Sequence, residues 1–427
     1  MENPSWFYRF LFMKRNRTAP FFLPLITIAF LSACSTELSK LSGEDFLREH
    51  VEWLASDQLQ GRLAGTINES ESANYIADRF LEYGVLPSGD NRTYFQQFTL
   101  SGPMADVMGV DNHLSRNVVG RIERSEYPGR YIIVGAHYDG QGTGGMISMS
   151  ESEEGLIHNS ADDNASGTAG LLYMAKEIAQ KPLRSSVLFV AFSGEELGLQ
   201  GSRHFADTME IEKDSVLAMI NFDMIGRLDE GALTIFGTGT ANIWEEILGE
   251  VQADSLTITQ TPSGSGSSDH TSFYEVGIPV LHYFTGTHND YHSETDTSDK
   301  INYKGMVWVL EYGLQTLTRL DGYHPADIEF IETTDPRSVV MSGDTVTLGV
   351  IPDYSYSGEG FRIESVQPDN PGADAGMQNG DIIIEMDGTK VADIYDYMEL
   401  LNEIENGSVV DFVVIRNNEH VELSVQF

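Results

Sequence analysis

Nearly continuous apolar runs alternate with helical apolar spacing between about residues 42 and 320. The runs are typical of strands buried on both faces of a sheet. They are residues 130–137, 186–192, 217–223, 232–237 and 278–284. Residues 166–180 and 303–320 repeat apolar residues at three- and four-residue spacing, which predicts helices. The alternation predicts an α/β domain with a mostly parallel, mixed sheet sandwiched by helices.

The pattern changes after this region. Short apolar runs, glycine turns and one helix near residues 394–404 follow, which predicts a small β-rich domain. The chain is therefore divided into a leader at residues 1–34, an α/β domain at 42–321, a linker at 322–338 and a β-rich domain at 339–427.

Composition narrows the class of protein. The 427 residues suffice for two or three domains with a full core. With 41% hydrophobic and 10% aromatic residues, the chain is globular rather than disordered. It carries 65 acidic and 26 basic side chains, a formal net charge of −39. Because such a charge repels phosphate backbones, we expect no nucleic-acid partner.

The beginning of the chain has the composition of a secretory signal. The basic residues 14–17 precede a mostly apolar run at 19–34, too short for a clear membrane span. The run ends in LSAC, which resembles a bacterial lipobox, and its Cys34 is the sole cysteine of the chain. We therefore expect a lipid-anchored, extracytoplasmic protein of the bacterial cell envelope, on the outer membrane or cell surface. The alternative is an uncleaved anchor that happens to contain a cysteine. Met13 directly precedes the basic stretch and is an alternative translation start.

Histidine and acidic side chains lie near the carboxyl ends of four predicted strands, and one further acid, Asp163, lies in a loop before a predicted helix. They are His137, Asp139, Asp163, Glu195, Glu196, Asp223 and His292. Since the carboxyl ends of parallel strands share one edge of a sheet, these side chains should converge there. Imidazole and carboxylate are ligands that suit zinc, and the shortage of cysteine disfavours a thiolate site. The order and spacing predict a metal site.

Each motif taken alone has a plainer interpretation. HYD is compatible with a surface loop, and the acids of NSADDNASG, residues 159–167, are compatible with a helix N-cap. Glu195 and Glu196 could form a solvated first helical turn. The joint arrangement of all these residues favours the metal site.

The motifs HYD, ADDNASG, GEELGLQGS, NFDMIGR, SDHTSF and DYHSETDTSDKI occur in this order over about residues 130–320. They resemble the M28 family of zinc aminopeptidases. The resemblance implies two Zn²⁺ ions bridged by Asp163, with Glu196 and His292 on one ion and His137 and Asp223 on the other. Asp162 is not expected to be a ligand.

The resemblance also implies roles beside the ligands. Glu195 would be the general base, and Asp139 would orient His137. Asp269 and His270 match a stretch that lines the site, and Tyr291 precedes a ligand. The expected activity is hydrolysis of N-terminal residues from peptides with a free N-terminus.

The last segment, residues 339–427, resembles a PDZ domain, most specifically in PGADAGMQNGDIIIEMDG. Such domains bind an extended C-terminal peptide by strand addition. The resemblance makes Leu348, Gly349 and Val350 the expected cradle for the peptide carboxylate. The alternatives are a purely structural appendage and a lid on the peptidase.

Two other functions remain open at this stage. One is a glutaminyl cyclase, which has a related fold and a single catalytic zinc. The other is a catalytically silent scaffold that binds peptides through the PDZ-like domain. The second is disfavoured because every expected ligand and the base are present in the sequence.

Overall fold

The structure of the chain is a computed structural model. It describes residues 42–144, 148, 155–333, 346–352, 356, 358–366, 370–392, 396–397, 400–401, 404, 407–417 and 419–427. The predicted signal segment, Met13 and Cys34 lie outside the described residues. No helix within the described ranges is both long enough and apolar enough to cross a membrane.

A mixed sheet forms the centre of the first domain. Its strands are β1 (Leu86–Pro87), β2 (Phe95–Thr99), β3 (Leu114–Ile122), β4 (Tyr131–His137), β5 (Ser186–Phe192), β6 (Val216–Phe222), β7 (Ala232–Phe236), β8 (Thr257–Thr261) and β9 (Val280–Phe284). Their order is β1-β3-β5-β4-β6-β9-β7-β8, with β2 paired to β3. The central strands β5, β4, β6 and β9 are mutually parallel, whereas β3 and β7 pair antiparallel with β5 and β9.

Helices cover both faces of this sheet. They are α1 (Gly43–Leu54), α2 (Ile67–Glu82), α3 (Pro103–Val107), α4 (Gly167–Ala179), α5 (Gln200–Thr208), α6 (Trp244–Glu250), α7 (His270–Tyr274) and α8 (Tyr303–Leu320). Short 3₁₀ turns lie at Asp57–Arg62, Asp90–Arg92, Lys213–Ser215, Ser298–Lys300 and Pro325–Asp327, and an irregular helical segment at Ala161–Ser166. Together with the sheet, these helices confirm the predicted α/β sandwich.

Alternation along β4 builds two separate cores. Ile132 and Val134 pack into the larger core, which contains the apolar faces of α1, α2, α4, α6 and α8. Ile133 points to the other face and packs with Phe205 of α5 and Phe273 of α7. Because both faces are buried, the central strands have no polar side, as the continuous apolar runs predicted.

The start of the predicted linker is bonded to the α/β domain. Phe330 forms an isolated bridge with Ala241, and the amide of Ile331 donates to the Thr240 carbonyl at 2.9 Å. The amide of Thr333 donates to the hydroxyl of Tyr274 at 2.9 Å. The chain is thus held to the α/β domain up to Thr333.

The second domain is built on an antiparallel sheet. Its elements are β10 (Val350–Pro352), β11 (Phe361–Val366), α9 (Pro371–Asp374), β12 (Ile382–Met386), β13 (Thr389–Lys390), β14 (Val409–Arg416) and β15 (Glu419–Gln426). The strand order is β10-β11-β12-β14-β15, with β13 paired to β12. In the region of the predicted helix, Asp396, Tyr397, Leu400 and Leu401 are helical. The small β-rich domain is therefore also confirmed.

Candidate metal centre

Parallel strands bring the predicted site residues to one edge of the sheet. His137 is the last residue of β4, and Asp223 directly follows β6. Glu195 and Glu196 lie in the turn between β5 and α5. Carboxyl ends of parallel strands face the same way, so these side chains meet although they are far apart in sequence.

Two clusters of ligand-type side chains lie at this edge. In the first cluster, His137 Nε2 lies 3.2 Å from Asp163 Oδ1 and 3.3 Å from Asp223 Oδ1. In the second cluster, His292 Nε2 lies 3.1 Å from Asp163 Oδ2 and 3.4 Å from Glu196 Oε2. Asp163 belongs to both clusters and gives one oxygen to each.

These spacings fit a metal ion in each cluster. Ligand atoms about 2.0–2.1 Å from a tetrahedral ion are about 3.3 Å from one another, which matches the observed distances. Glu196 Oε1, in the second cluster, is buried and has no hydrogen-bond partner among the described residues. Each cluster offers imidazole and carboxylate donors, which suit a divalent cation of borderline hardness.

The electrostatics of the clusters point the same way. Burial, followed by the charge of Asp163, raises the pKa of Glu196 to about 8. Burial also raises the pKa of Glu195 well above its usual value. Burial opposes ionisation of Asp163 too, but its hydrogen bonds with His137 and His292 hold its pKa below the usual value. A bound cation would relieve the cost of keeping these carboxylates charged.

The loop that carries Asp163 is fixed by a further acid. Asp296 Oδ2 accepts from the amides of Asp162 and Asp163, at 2.8 and 3.1 Å. Asp162 points elsewhere, because its Oδ1 accepts from the Gly226 amide at 2.7 Å and its Oδ2 lies 3.2 Å from His288 Nε2. Asp162 lies in neither cluster, as the sequence interpretation expected.

Glu195 stands beside the clusters rather than within them. Its Oε2 lies 4.0 Å from His137 Nε2, and 11% of its side chain is exposed. Its amide donates to Asp139 Oδ1 at 3.3 Å, and the same oxygen lies 3.6 Å from His137 Nδ1. Asp139 is thus placed behind the imidazole of His137, while Glu195 faces the space in front of it.

Two of the three residues expected to line the site, Asp269 and His270, are buried. Asp269 and His270 are 0% and 1% exposed, and the His270 ring stacks on His282 with centroids 4.4 Å apart. Burial raises the pKa of Asp269 to about 7. Tyr291 stacks on the His292 ring at 3.8 Å. Of the three, Tyr291 alone contacts a member of the two clusters through its ring.

Several supporting residues were missed in the sequence. Ser268 Oγ donates to Asp223 Oδ2 at 2.7 Å, and Gln141 Nε2 donates to Glu196 Oε2 at 3.3 Å. Asp296, described above, is another. Ser268 and Asp296 lie inside the quoted motifs, yet serine and aspartate are too common there for composition to single them out.

The expected peptide cradle of the second domain has mixed burial. The Leu348 side chain is fully buried in that domain's core, and its carbonyl accepts from the Gly372 amide at 2.8 Å. Gly349 has a φ of +71°, a left-handed conformation that favours glycine. Val350 begins β10, which stands at one end of the described strand order.

Fold and site together define an α/β protein whose sheet edge carries two clusters of metal-ligand side chains that share one carboxylate. Residues 117–315 match Peptidase family M28, and residues 329–427 match the PDZ domain family. The chain thus has a segment similar to Peptidase family M28, followed by a segment similar to the PDZ domain.

Named relatives agree with this assignment. Aminopeptidase YwaD of Bacillus subtilis is 31% identical over 208 residues, which cover 45% of this chain and 41% of the relative. The chain thus spans about two fifths of that relative's length.

Solved structures share the fold. A zinc aminopeptidase from Bacillus subtilis superposes with a TM-score of 0.53 at 19% identity, over 67% of this chain and 97% of that one. A glutaminyl cyclase from Porphyromonas gingivalis superposes with a TM-score of 0.51 at 16% identity, over 65% of this chain and 96% of that one. At these identities the likeness extends to the fold alone.

Proposed function

We propose that the chain is a di-zinc aminopeptidase that hydrolyses N-terminal residues from peptides. The observation that carries this proposal is the position of Asp163, whose two oxygens serve two adjacent ligand clusters. The M28 match and the relative named as an aminopeptidase support peptide hydrolysis as the reaction. The imidazole and carboxylate donors of both clusters support zinc as the metal.

The ligand roles follow from the clusters. His137 and Asp223 would hold one ion, Glu196 and His292 the other, and Asp163 would bridge them. Bound zinc supplies Lewis acidity for a peptide carbonyl and lowers the pKa of a coordinated water towards about 7. Everything else in the reaction falls to side chains of the chain itself.

Glu195 is the proposed general acid–base. Its carboxylate lies beside the first cluster without belonging to it, so it is available to take a proton from the attacking water. It then returns that proton to the leaving amine. The main-chain bond to Asp139 holds Glu195, and Asp139 in turn orients His137.

The excess of buried acid supports action at a free N-terminus. Glu195, Asp139 and Asp269 lie around the clusters, so a substrate ammonium would meet a negative field. A blocked N-terminus lacks that charge. We infer that free α-amino groups are preferred over acylated ones.

A substrate panel with metal quantification tests the proposal. Aminoacyl substrates, their N-acetylated forms and an N-terminal glutamine peptide are assayed on protein whose zinc content is measured. Hydrolysis of the free forms with about two zinc per chain supports the aminopeptidase. Cyclisation of the glutamine peptide with one zinc per chain would indicate a glutaminyl cyclase instead. No turnover of any substrate by zinc-loaded protein would leave a peptide-binding scaffold.

The PDZ domain is proposed to bind an extended C-terminal peptide. β10 has a described neighbour on one side, β11, so its other edge is a candidate for strand addition. Gly349 and Val350 lie at the start of that strand, where a peptide carboxylate would be received. Titration with C-terminal peptides and their amidated forms tests this, since amidation should abolish binding.

We further propose that the protein is lipid-anchored at Cys34 in the bacterial cell envelope. The basis is the sequence, in which a basic stretch, an apolar run and LSAC follow one another up to this cysteine. Peptide substrates would then be met outside the cytoplasm.

A further inference from the structure

A buried arginine lies behind the metal centre, outside the segment that matches Peptidase family M28. Arg62 ends the 3₁₀ turn Asp57–Arg62 and is 0% exposed. Arginine is rarely buried unless each of its donors has an acceptor. The partners of this guanidinium therefore indicate what it does.

The guanidinium of Arg62 forms four hydrogen bonds, all to main-chain carbonyl oxygens. Nε donates to Tyr138 at 2.9 Å, and Nη2 donates to Ser160 at 2.9 Å. Nη1 donates to Asn159 at 2.9 Å and to Leu54 at 2.5 Å. The fork thus joins three separate segments of backbone at one point.

Two of those segments carry the proposed ligands. Tyr138 stands between His137, of the first cluster, and Asp139. Asn159 and Ser160 directly precede the loop that presents Asp163 to both clusters. Because a planar guanidinium fixes the directions of its donors, it fixes these two segments relative to each other.

The backbone around Arg62 makes the same connection. The Gly142 amide donates to the Gly61 carbonyl at 3.0 Å, and the Gly140 amide to the Arg62 carbonyl at 3.3 Å. Gly61 has a φ of +71°, and a Cβ there would lie 2.2 Å from the Gly142 carbonyl oxygen. The turn therefore needs glycine to approach the segment after His137 this closely.

Asn159 adds an independent attachment. Its Nδ2 donates to the Ala55 carbonyl at 2.8 Å and to Asp57 Oδ1 at 2.9 Å. The segment Ala55–Arg62 is thus tied to the Asp163 loop through two side chains. One of them, Arg62, donates from the segment to the loop, and the other donates in the opposite direction.

Charge gives Arg62 a second effect. Burial lowers its pKa to about 10, while the charges of Asp139, Asp296 and Asp163 favour its protonated form. It is therefore a cation at neutral pH. A fixed positive charge here offsets part of the mutual repulsion of the acids that must stay ionised to bind metal.

We propose that Arg62 is a positioning residue for the metal centre: its guanidinium holds the His137–Asp139 segment and the Asp163 loop in the one arrangement that lets Asp163 serve both ions. This rests on the proposed di-zinc function. It adds a role for a segment that precedes the M28 match and contacts neither cluster through a ligand atom.

Arg62→Lys tests the proposal, with Arg130→Lys as the matched control. Arg130 is also buried and also donates to main-chain carbonyls, those of Asp321 and Tyr323, but it lies just before β4, at the opposite end of that strand from His137. Lysine keeps the positive charge in both variants but lacks the planar guanidinium that donates several hydrogen bonds in fixed directions. Zinc affinity is measured by competition with a chromophoric chelator, and Tm on the metal-free proteins.

Arg62→Lys should bind zinc about 10–100-fold more weakly, the usual cost of losing a group that orients a ligand. Its cobalt-loaded form should show a changed visible absorption band, which reports coordination geometry. Arg130→Lys should lower Tm but leave zinc affinity and the cobalt band as in wild type. Zinc affinity of Arg62→Lys within twofold of wild type, or an equal loss in both variants, overturns the proposal.

Asn159→Ala keeps the test decisive if Arg62→Lys does not fold. It removes the second attachment and leaves Arg62 in place. If the folded Asn159→Ala variant binds zinc more weakly, the attachment of the Asp163 loop to Ala55–Arg62 positions the metal centre as proposed. Unchanged zinc binding contradicts a positioning role for that attachment. If the wild-type protein binds no zinc, the proposed di-zinc function is contradicted. That outcome differs from a failure of the Arg62 proposal, in which the wild type binds zinc and the variants bind it equally well.

Discussion

Adjacent glutamates at the sheet edge have different surroundings. Glu196 Oε2 lies 3.4 Å from His292 Nε2 and belongs to the second cluster. Glu195 Oε2 lies 4.0 Å from His137 Nε2 and belongs to neither cluster. Substitutions of Glu195 and Glu196 should therefore have different effects, although the two side chains are chemically identical.

Glu195→Gln removes the proposed base without removing a ligand. Zinc content should stay near that of wild type while kcat falls about 10²–10⁴-fold, the usual contribution of general acid–base catalysis. Glu196→Gln removes an anionic ligand, so zinc should bind more weakly and excess zinc should restore part of the activity. Steady-state kinetics and zinc analysis after desalting measure both effects.

The two variants also check the register of the motif. Reversed behaviour would mean that the roles of Glu195 and Glu196 are exchanged. Wild-type activity in both would contradict the proposed mechanism.

The raised pKa of Glu196 predicts how zinc binding depends on pH. In the metal-free protein burial raises that pKa to about 8, so the carboxyl is protonated below about pH 8. Zinc must displace this proton to bind, and acid therefore competes with the metal. Apparent zinc affinity should rise as pH increases from 6 to 8, by about tenfold per unit for one proton released.

Chelator competition at several pH values, corrected for protonation of the chelator, measures this slope. Glu196→Gln is the control, because removing this ligand should lower the slope by about one proton. His137 still releases a proton in that variant, since burial opposes its protonation but the charges of Asp223 and Glu195 outweigh that effect and raise its pKa. An affinity of the wild type that does not change between pH 6 and 8 would contradict the prediction.

Much of the site at this scale was predictable, because every proposed ligand except Asp163 comes after a strongly apolar run. Supporting residues were not. Arg62 is separated from Asn159 by about a hundred residues, and its role depends on donors meeting main-chain carbonyls. Every residue has a main-chain carbonyl, so the sequence does not indicate which carbonyls accept hydrogen bonds from Arg62.

Among the elements, the segment after α8 has the clearest structural consequence. Residues 322–338 were expected to be a linker, yet Phe330 and Thr333 are bonded to the α/β domain. Tyr274, the last residue of α7, provides the hydroxyl that Thr333 contacts. The α/β domain thus extends beyond α8 to at least Thr333.

Two truncated chains test this point. One ends after Asp321 and the other after Thr333. The shorter chain loses several hydrogen bonds worth about 0.5–1.5 kcal/mol each, so its Tm should be about 5 °C or more below that of the longer chain. Calorimetry or circular dichroism measures the difference.

Both truncated chains should bind zinc and hydrolyse short substrates, because the clusters end at His292. Losses should be confined to longer peptides or partners of the PDZ domain. A folded, zinc-loaded chain ending after Thr333 that turns over no short substrate would show that the PDZ domain is part of the active site.

The elements found from sequence share one property. The predicted runs became β4, β5, β6, β7 and β9, since continuous apolar runs are a strong signal. β3 was missed because its buried residues include Ser115 and Asn117, which hydrogen-bond to Ser193 and to the Gly201 carbonyl. Buried polar residues whose hydrogen-bond partners are distant in sequence interrupt the apolar pattern, so a strand that contains them is not recognised from that pattern.

At the scale of the whole molecule, the proposed lipid anchor predicts that Cys34 attaches the protein to a membrane. Cys34→Ala should release the protein from membranes or block its processing, because Cys34 is the sole lipidation candidate. Membrane fractionation with a lipid-modification assay measures this. A variant that stays lipid-modified in the membrane fraction would rule out the anchor.

The contact between the first and last long helices of the α/β domain has a consequence for synthesis. The apolar face of α1 packs against α4 and α8, with Arg48 over the Tyr303 ring at 4.1 Å and the Phe46 and Tyr173 rings 5.9 Å apart. The ribosome makes α8 about 250 residues after α1, roughly 12–50 s later at 5–20 residues per second. Until then Phe46, Leu47 and Val51 lack part of their covering. We therefore expect the core around α1 to be completed only after translation has passed Leu320.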